Sequence, residues 1–198
     1  MLLSGLARSH LFFASLLIAG ALAEAPAPAW ADQNDGSGGG PFDFVSGRAR
    51  VSPVPRTTVA LATKHPAGSI IVNTTERRLY YVLGNGEAIR YGIGVGRIGF
   101  TWAGVTAVSG KREWPDWNPP PQMLHRRPDL PRHMPGGIEN PLGARAMYLG
   151  SSLYRIHGSN EPETIGQAVS SGCFRMTNED VIDLYNRVNV GAQVEVLR

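Results

Sequence analysis

Cysteine is almost absent: Cys173 is the single one in 198 residues. No intramolecular disulfide can form, and no zinc centre of several thiolates can be built. An excess of one charge is missing too. Nineteen Lys and Arg against sixteen Asp and Glu leave +3, too small and too scattered to make nucleic acid the main partner. Charged residues are only 18% and apolar ones 42%, which excludes a disordered tail or a coiled coil. There is no internal repeat. What is abundant is glycine, 24 residues, and proline, 15, and both imply many turns and loops.

The N-terminus carries the pattern of an export leader. Arg8 gives the basic start, and Leu11 to Leu22 forms an apolar stretch shorter than the ~20 residues needed to cross a bilayer. Ala21-Leu22-Ala23 is a small-x-small cleavage site, with a second at Ala29-Trp30-Ala31. The expectation is a signal peptide over residues 1–23 and a mature protein in the periplasm or cell envelope with no membrane span. Residues 24–58, with Gly36-Ser37-Gly38-Gly39-Gly40-Pro41, read as a flexible linker. The folded unit is then expected over residues 59–198.

That unit reads as mainly β. Short β-branched or aromatic runs at Ser69–Asn73, Arg78–Leu83, Glu87–Val95, Val105–Lys111, Ala146–Leu149, Ser152–Ile156 and Gln193–Leu197 predict strands. Asn85-Gly86 predicts a tight hairpin. One helix is well marked: Thr177 caps it, Asp180 follows at the capping-box position, and Val181, Leu184, Tyr185 and Val188 recur on one face. Gly191 is expected to stop it. A barrel or sandwich of short strands with one clear helix results. The segment Trp114 to Asn140, with Pro115, Pro119, Pro120, Pro121 and Pro128, is too rich in proline for regular pairing and reads as a long lid or substrate wall.

The chemistry concentrates at Ser170-Ser171-Gly172-Cys173-Phe174-Arg175-Met176. A cysteine after glycine and shortly before a helix predicts free backbone N–H groups, an oxyanion hole and a field favouring the thiolate, with Arg175 adding positive charge. A thiol nucleophile needs a base. Of the five histidines, His10 lies in the leader, His65 beside Pro66, and His125 and His133 in the proline-rich loop. His157 ends an apolar strand and precedes Gly158, where site residues tend to sit. Gly94-Val95-Gly96-Arg97-Ile98-Gly99 matches a dinucleotide fingerprint only superficially, because no helix is expected after it. No cofactor or metal site is indicated. Arg126, Arg127 and Arg132 form a modest basic cluster, either a solvated face or a contact with anionic carboxylates.

His157-Gly158-Ser159-Asn160, followed sixteen residues on by Ser171-Gly172-Cys173-Phe174-Arg175, resembles the signature of the L,D-transpeptidase family (YkuD, or ErfK/YbiS/YcfS/YnhG). Asn140-Pro141-Leu142-Gly143-Ala144-Arg145 upstream and Asn178-Glu179-Asp180-Val181 downstream are similar as well, and the resemblance covers about residues 67–198. It implies an exported enzyme acting on peptidoglycan stem peptides. Cys173 would attack the bond before the terminal D-Ala and form a thioester, which passes to an amine of another stem or of an envelope protein. By position, His157 would be the base, the Gly158 carbonyl would orient it, and the N–H groups of Gly172 and Cys173 would hold the oxyanion. Arg175, Ser171, Trp114 and Trp117 would contact substrate. The family usually has histidine where Ser171 stands, and Phe100-Thr101-Trp102-Ala103-Gly104 replaces a common turn motif, which marks a divergent branch. An L,D-carboxypeptidase or other thiol amidase with water as acceptor, and a non-catalytic wall-binding domain, are the alternatives the altered motif leaves open.

Overall fold

The computed structural model describes residues 52–198. The expected leader, and the linker up to residue 51, lie outside the described residues. Eleven strands are present: β1 (Thr57–Ala60), β2 (Ile70–Asn73), β3 (Arg78–Gly84), β4 (Glu87–Gly92), β5 (Val95–Gly96), β6 (Gly104–Glu113), β7 (Arg145–Leu149), β8 (Arg155–His157), β9 (Ala168–Ser170), β10 (Phe174–Arg175) and β11 (Gln193–Leu197). Two helices, α1 (Pro121–Arg126) and α2 (Asn178–Arg187), and a 3-10 turn at Pro162–Thr164 complete the list.

Nine strands form one open sheet in the order β1-β4-β3-β2-β11-β6-β7-β8-β10, and β5 pairs with β9 beside it. The arrangement is sandwich-like and is not a closed barrel. β6 joins the two halves. Its residues 104–107 pair with β11, and residues 108–113 pair with β7 across a register shift between Val108 and Gly110. Both halves turn apolar residues into one core: Ile70, Leu79 and Tyr91 from one, Met147, Leu149, Ile156 and Phe174 from the other. Val181 and Leu184 of α2 join the same core, as their spacing predicts.

The Asn85-Gly86 hairpin forms as expected. Both residues have positive φ, 53° and 78°, which the short β3–β4 connection requires. Thr177 caps α2, its hydroxyl accepting from the Asp180 N–H at 3.2 Å. α2 ends at Arg187, short of Gly191. Lys111 Nζ closes its C-terminus by donating to the carbonyls of Tyr185 and Val188, both at 2.6 Å, a cation placed at the negative end of the helix. β1 starts inside the stretch read as linker, because Thr57 and Thr58 pair with Arg90 and Ile89. The strand expected over Glu87–Val95 breaks after Gly92 into β4 and β5, and Ile93 and Gly94 carry the chain from the large sheet to β9. The strand expected from Ser152 begins only at Arg155, since Ser152 donates back to Leu149 in a turn.

Candidate active site

β8 and β10 are neighbouring parallel strands, with Ile156 opposite Phe174 and His157 opposite Arg175. Ile156 and Phe174 are buried in the core. Alternation then turns Arg155, His157 and Arg175 to the other face, where Cys173 stands one residue before β10. The Met176 N–H donates to the His157 carbonyl at 2.8 Å, and Gly94 and Arg175 exchange two backbone hydrogen bonds at 2.9 Å each. Strand register therefore brings the two halves of the sequence motif side by side.

His157 is 4% exposed. Its Nδ1 lies 2.6 Å from the Gly158 carbonyl. A carbonyl only accepts, so this bond puts a proton on Nδ1, and the Pro141 carbonyl is a second backbone acceptor at the ring. Burial drives the imidazole pKa from 6.5 down to about 3, and the Arg175 guanidinium pushes the same way. The ring is thus neutral and able to take a proton across the physiological range. Gly158 has no room for a side chain, because a Cβ there would stand 2.3 Å from Asn178 Oδ1.

Cys173 is partly exposed, and its Sγ lies 3.7 Å from the Leu153 carbonyl. Burial raises the thiol above its ordinary value. The Arg155 guanidinium and backbone N–H, both facing the sulfur, and then Arg175 pull it back without cancelling that rise. This corrects the expectation of a field that favours the thiolate. The first residue of α2 is Asn178, five positions beyond Cys173, and a helix-end field fades within one turn. At rest Cys173 is a neutral thiol and His157 a neutral imidazole.

The turn that presents the sulfur is fixed by Ser170. Its hydroxyl accepts from the Gly172 N–H at 3.1 Å and donates to the Cys173 carbonyl at 2.7 Å. Gly172 sits at φ 109°, and a Cβ there would meet Tyr154 at 2.5 Å, so only glycine fits. Its N–H, one of the two donors expected for an oxyanion, is already taken by Ser170.

Arg175 is paired with Glu161 at 2.7 Å. Ser171 Oγ is 3.5 Å from Arg97 Nη1. No hydrogen bond or ring contact among the described residues ties Trp114 or Trp117 to Cys173 or His157. Trp114 is 42% exposed, and Trp117 pairs with Met134. The aromatic wall is built instead by Trp102, whose Nε1 donates to the Gly172 carbonyl at 3.2 Å and whose ring stacks on Tyr154 at 4.8 Å. The long loop reaches this region through α1, where Arg126 lies 5.0 Å over the Phe100 ring, and Arg97 lies 4.3 Å from the same ring. Sequence reasoning missed Arg155, Trp102, Tyr154 and Ser170. Arg155 was within reach of it, two residues before His157 on one strand and hence on the same face. No cluster of metal-ligating side chains occurs among the described residues, and no helix among them is long and apolar enough to cross a membrane.

The model of the L,D-transpeptidase catalytic domain, YkuD, matches residues 67–196. The chain is 39% identical over 137 residues to "Probable L,D-transpeptidase ErfK/SrfK" of Escherichia coli K12, covering 65% of this chain and 43% of that protein. It is 34% identical over 164 residues to "Probable L,D-transpeptidase YcfS" of the same strain, covering 78% and 51%. The chain thus spans about half the length of these curated relatives. Among solved structures, L,D-transpeptidase 3 of Mycobacterium tuberculosis superposes with a TM-score of 0.52 at 18% identity, covering 67% of this chain and 62% of that one. The catalytic domain of the E. faecium L,D-transpeptidase gives 0.52 at 22%, covering 68% and 100%. At those identities the two structures speak for the fold alone, whereas the family model spans most of the folded unit, including His157 and Cys173. The chain belongs to the L,D-transpeptidase catalytic domain family.

Proposed function

We propose that the protein is an exported peptidoglycan L,D-transpeptidase whose nucleophile is Cys173 and whose base is His157. The observation that carries this reading is the parallel pairing of β8 with β10, which brings a neutral imidazole to the face where Cys173 stands. Because the thiol is protonated at rest, its proton moves to Nε2 as sulfur attacks the carbonyl before the terminal D-Ala. The S–C bond forms, the C–N bond breaks, and the proton goes on to the leaving amine, giving free D-Ala and a thioester. An amine of a second stem, or of an envelope protein, then attacks the thioester and gives a proton to His157. The S–C bond breaks and the thiol is restored. The Cys173 N–H is the backbone donor that Ser170 does not occupy, and it meets the developing oxyanion. Trp102, Tyr154 and the loop above Phe100 shield the thioester from water, which favours an amine as acceptor.

The test is mass spectrometry of the purified chain with tetrapeptide stems. Release of D-Ala with formation of a Cys173-linked acyl adduct is expected, and Cys173→Ala loses both. Full activity in that variant overturns the reading. A free tripeptide as sole product makes water the acceptor and the enzyme a carboxypeptidase, the reading favoured by Ser171 in place of the usual histidine. Export rests on residues 1–23, and N-terminal sequencing of periplasmic protein that begins after Ala23 or Ala31 is the expected result.

A further inference from the structure

Gly158 supplies the carbonyl that holds the proton of His157 Nδ1, yet glycine is the residue least able to fix its own backbone. Other groups must hold that carbonyl in line. The Gly158 N–H donates to the Arg145 carbonyl at 3.0 Å, which fixes one side of the residue. Gly143 and the side chain of Asn178 stand against the other. A Cβ on Gly158 or on Gly143 would run into Asn178 Oδ1, and one on Gly143 would also stand 2.7 Å from the Gly158 carbonyl carbon. The oxygen is therefore wedged between two glycines, where it accepts from the Ala144 N–H at 2.8 Å. Asn178 opens α2 but does little for that helix. Thr177 already caps it, and the Asn178 oxygen serves a turn 34 residues earlier in the chain. Helix propensity gives no reason for asparagine at a position whose helix has its cap.

We infer that Asn178 is a positioning residue of the reaction: its Oδ1 locks the Gly143–Ala144 turn against Gly158 and so aims the carbonyl that keeps a proton on His157 Nδ1. The inference rests on the reading of His157 as the base, and it adds a residue that acts through that base without touching substrate. Without the wedge, the Gly158 carbonyl is free to swing, and the neutral ring then populates both tautomers. The tautomer protonated on Nε2 alone has no lone pair there to take the thiol proton. The Asn178 amide nitrogen makes no hydrogen bond among the described residues, so the oxygen alone does the positioning. An aspartate at the same position keeps that oxygen, and alanine removes it. The same oxygen joins the base to the foot of the long loop, since the Gly143 N–H donates to the Asn140 carbonyl at 2.9 Å.

The experiment reads which ring nitrogen of His157 carries the proton, by NMR of histidine-labelled protein at neutral pH, beside kcat and KM on tetrapeptide stems. It compares the parent with Asn178→Ala, Asn178→Asp and Thr177→Ala. The parent is expected to hold one tautomer, protonated on Nδ1. Asn178→Ala mixes in the other and lowers kcat by about 10- to 100-fold with KM nearly unchanged, the scale of a misplaced catalytic group. Asn178→Asp restores both readings. Thr177→Ala loosens the same end of α2 and leaves both at the parent's level, which separates positioning from stability. Should Asn178→Ala not fold, Asn178→Ser, whose hydroxyl falls one atom short, takes its place with the same expectation. A mixed tautomer in the parent, an unchanged ring in Asn178→Ala, an Asn178→Asp as impaired as Asn178→Ala, or a Thr177→Ala that mixes the tautomers as much, overturns the inference. Stems left uncleaved by the parent, with the ring signatures as expected, overturn the transpeptidase reading alone.

Discussion

The site block and the loop that crosses it are built to different standards. The block consists of β8, β10 and α2. Its inner residues Ile156, Phe174, Val181 and Leu184 are sealed in the core, and its helix is capped at both ends by Thr177 and Lys111. The segment from Trp114 to Asn140 contains a helix of six residues with no side-chain cap and no buried residue. The Asn140 amide and the Asp116 pair with His133 brace it internally, and it is tied to its surroundings by the Trp114 N–H on the Ala144 carbonyl, the Asn160 amide on the Glu139 carbonyl and Arg126 over Phe100. The lesson is a division of labour. The block fixes the reacting groups to strand register, and the loop is free to open at low cost because so few buried contacts resist it.

Acid should break the block first, and by the largest margin. The buried His157 titrates at about 3, against 6.5 once the chain unfolds. Its contribution is complete above pH 6.5 and is lost as the pH falls toward 3, because the unfolded chain then binds a proton that the fold refuses. The loss approaches the order of 4 kcal/mol. Urea unfolding at pH 7 and pH 4 measures it, and His157→Gln should flatten the difference. An unchanged pH slope in that variant would remove the buried neutral imidazole from the account.

The loop is probed by Asn140→Ala. The Asn140 amide donates to the carbonyls of Pro115, Met134 and Pro135, and its oxygen accepts from the Leu142 N–H. Leaving these groups unpartnered costs about 1–3 kcal/mol. Limited proteolysis should cut first between residues 114 and 140 while the remainder stays intact. Simultaneous loss of the whole domain would erase the contrast between the two regions. The smallest effect is expected from Thr177→Ala, which removes the cap of α2 at about 1 kcal/mol and lowers the thermal midpoint without altering the cleavage pattern of the loop.

Much of this was legible before any coordinates, for local reasons. Asn85-Gly86 specifies its own turn, and Thr177 with the Val181, Leu184 and Val188 spacing specifies its own helix. Local pattern singled out Cys173 after a glycine and His157 at a strand end, and the family resemblance then gave them their roles. What escaped depends on partners distant in sequence. β9 and β10 are three and two residues long and exist only because β5 and β8 pair with them. β1 hides in a stretch that composition assigns to linker. Trp114 and Trp117 drew attention as aromatic residues in a proline-rich loop, yet Trp102 holds the wall, since the β5–β6 connection runs beside Gly172. The thiolate expectation failed because burial raises the thiol, and β10 separates the cysteine from the helix whose end was meant to stabilise it.

The position of β11 has a consequence for biogenesis. It lies between β2, its parallel partner, and β6, so residues 193–197 supply the middle of a sheet whose other strands are made much earlier. A nascent polypeptide that has completed β2 through β8 still has a gap where the two halves should meet. Long-range pairing of this kind delays folding until the distant strand is delivered. Until β11 is delivered, the two halves of the sheet have no strand through which to join.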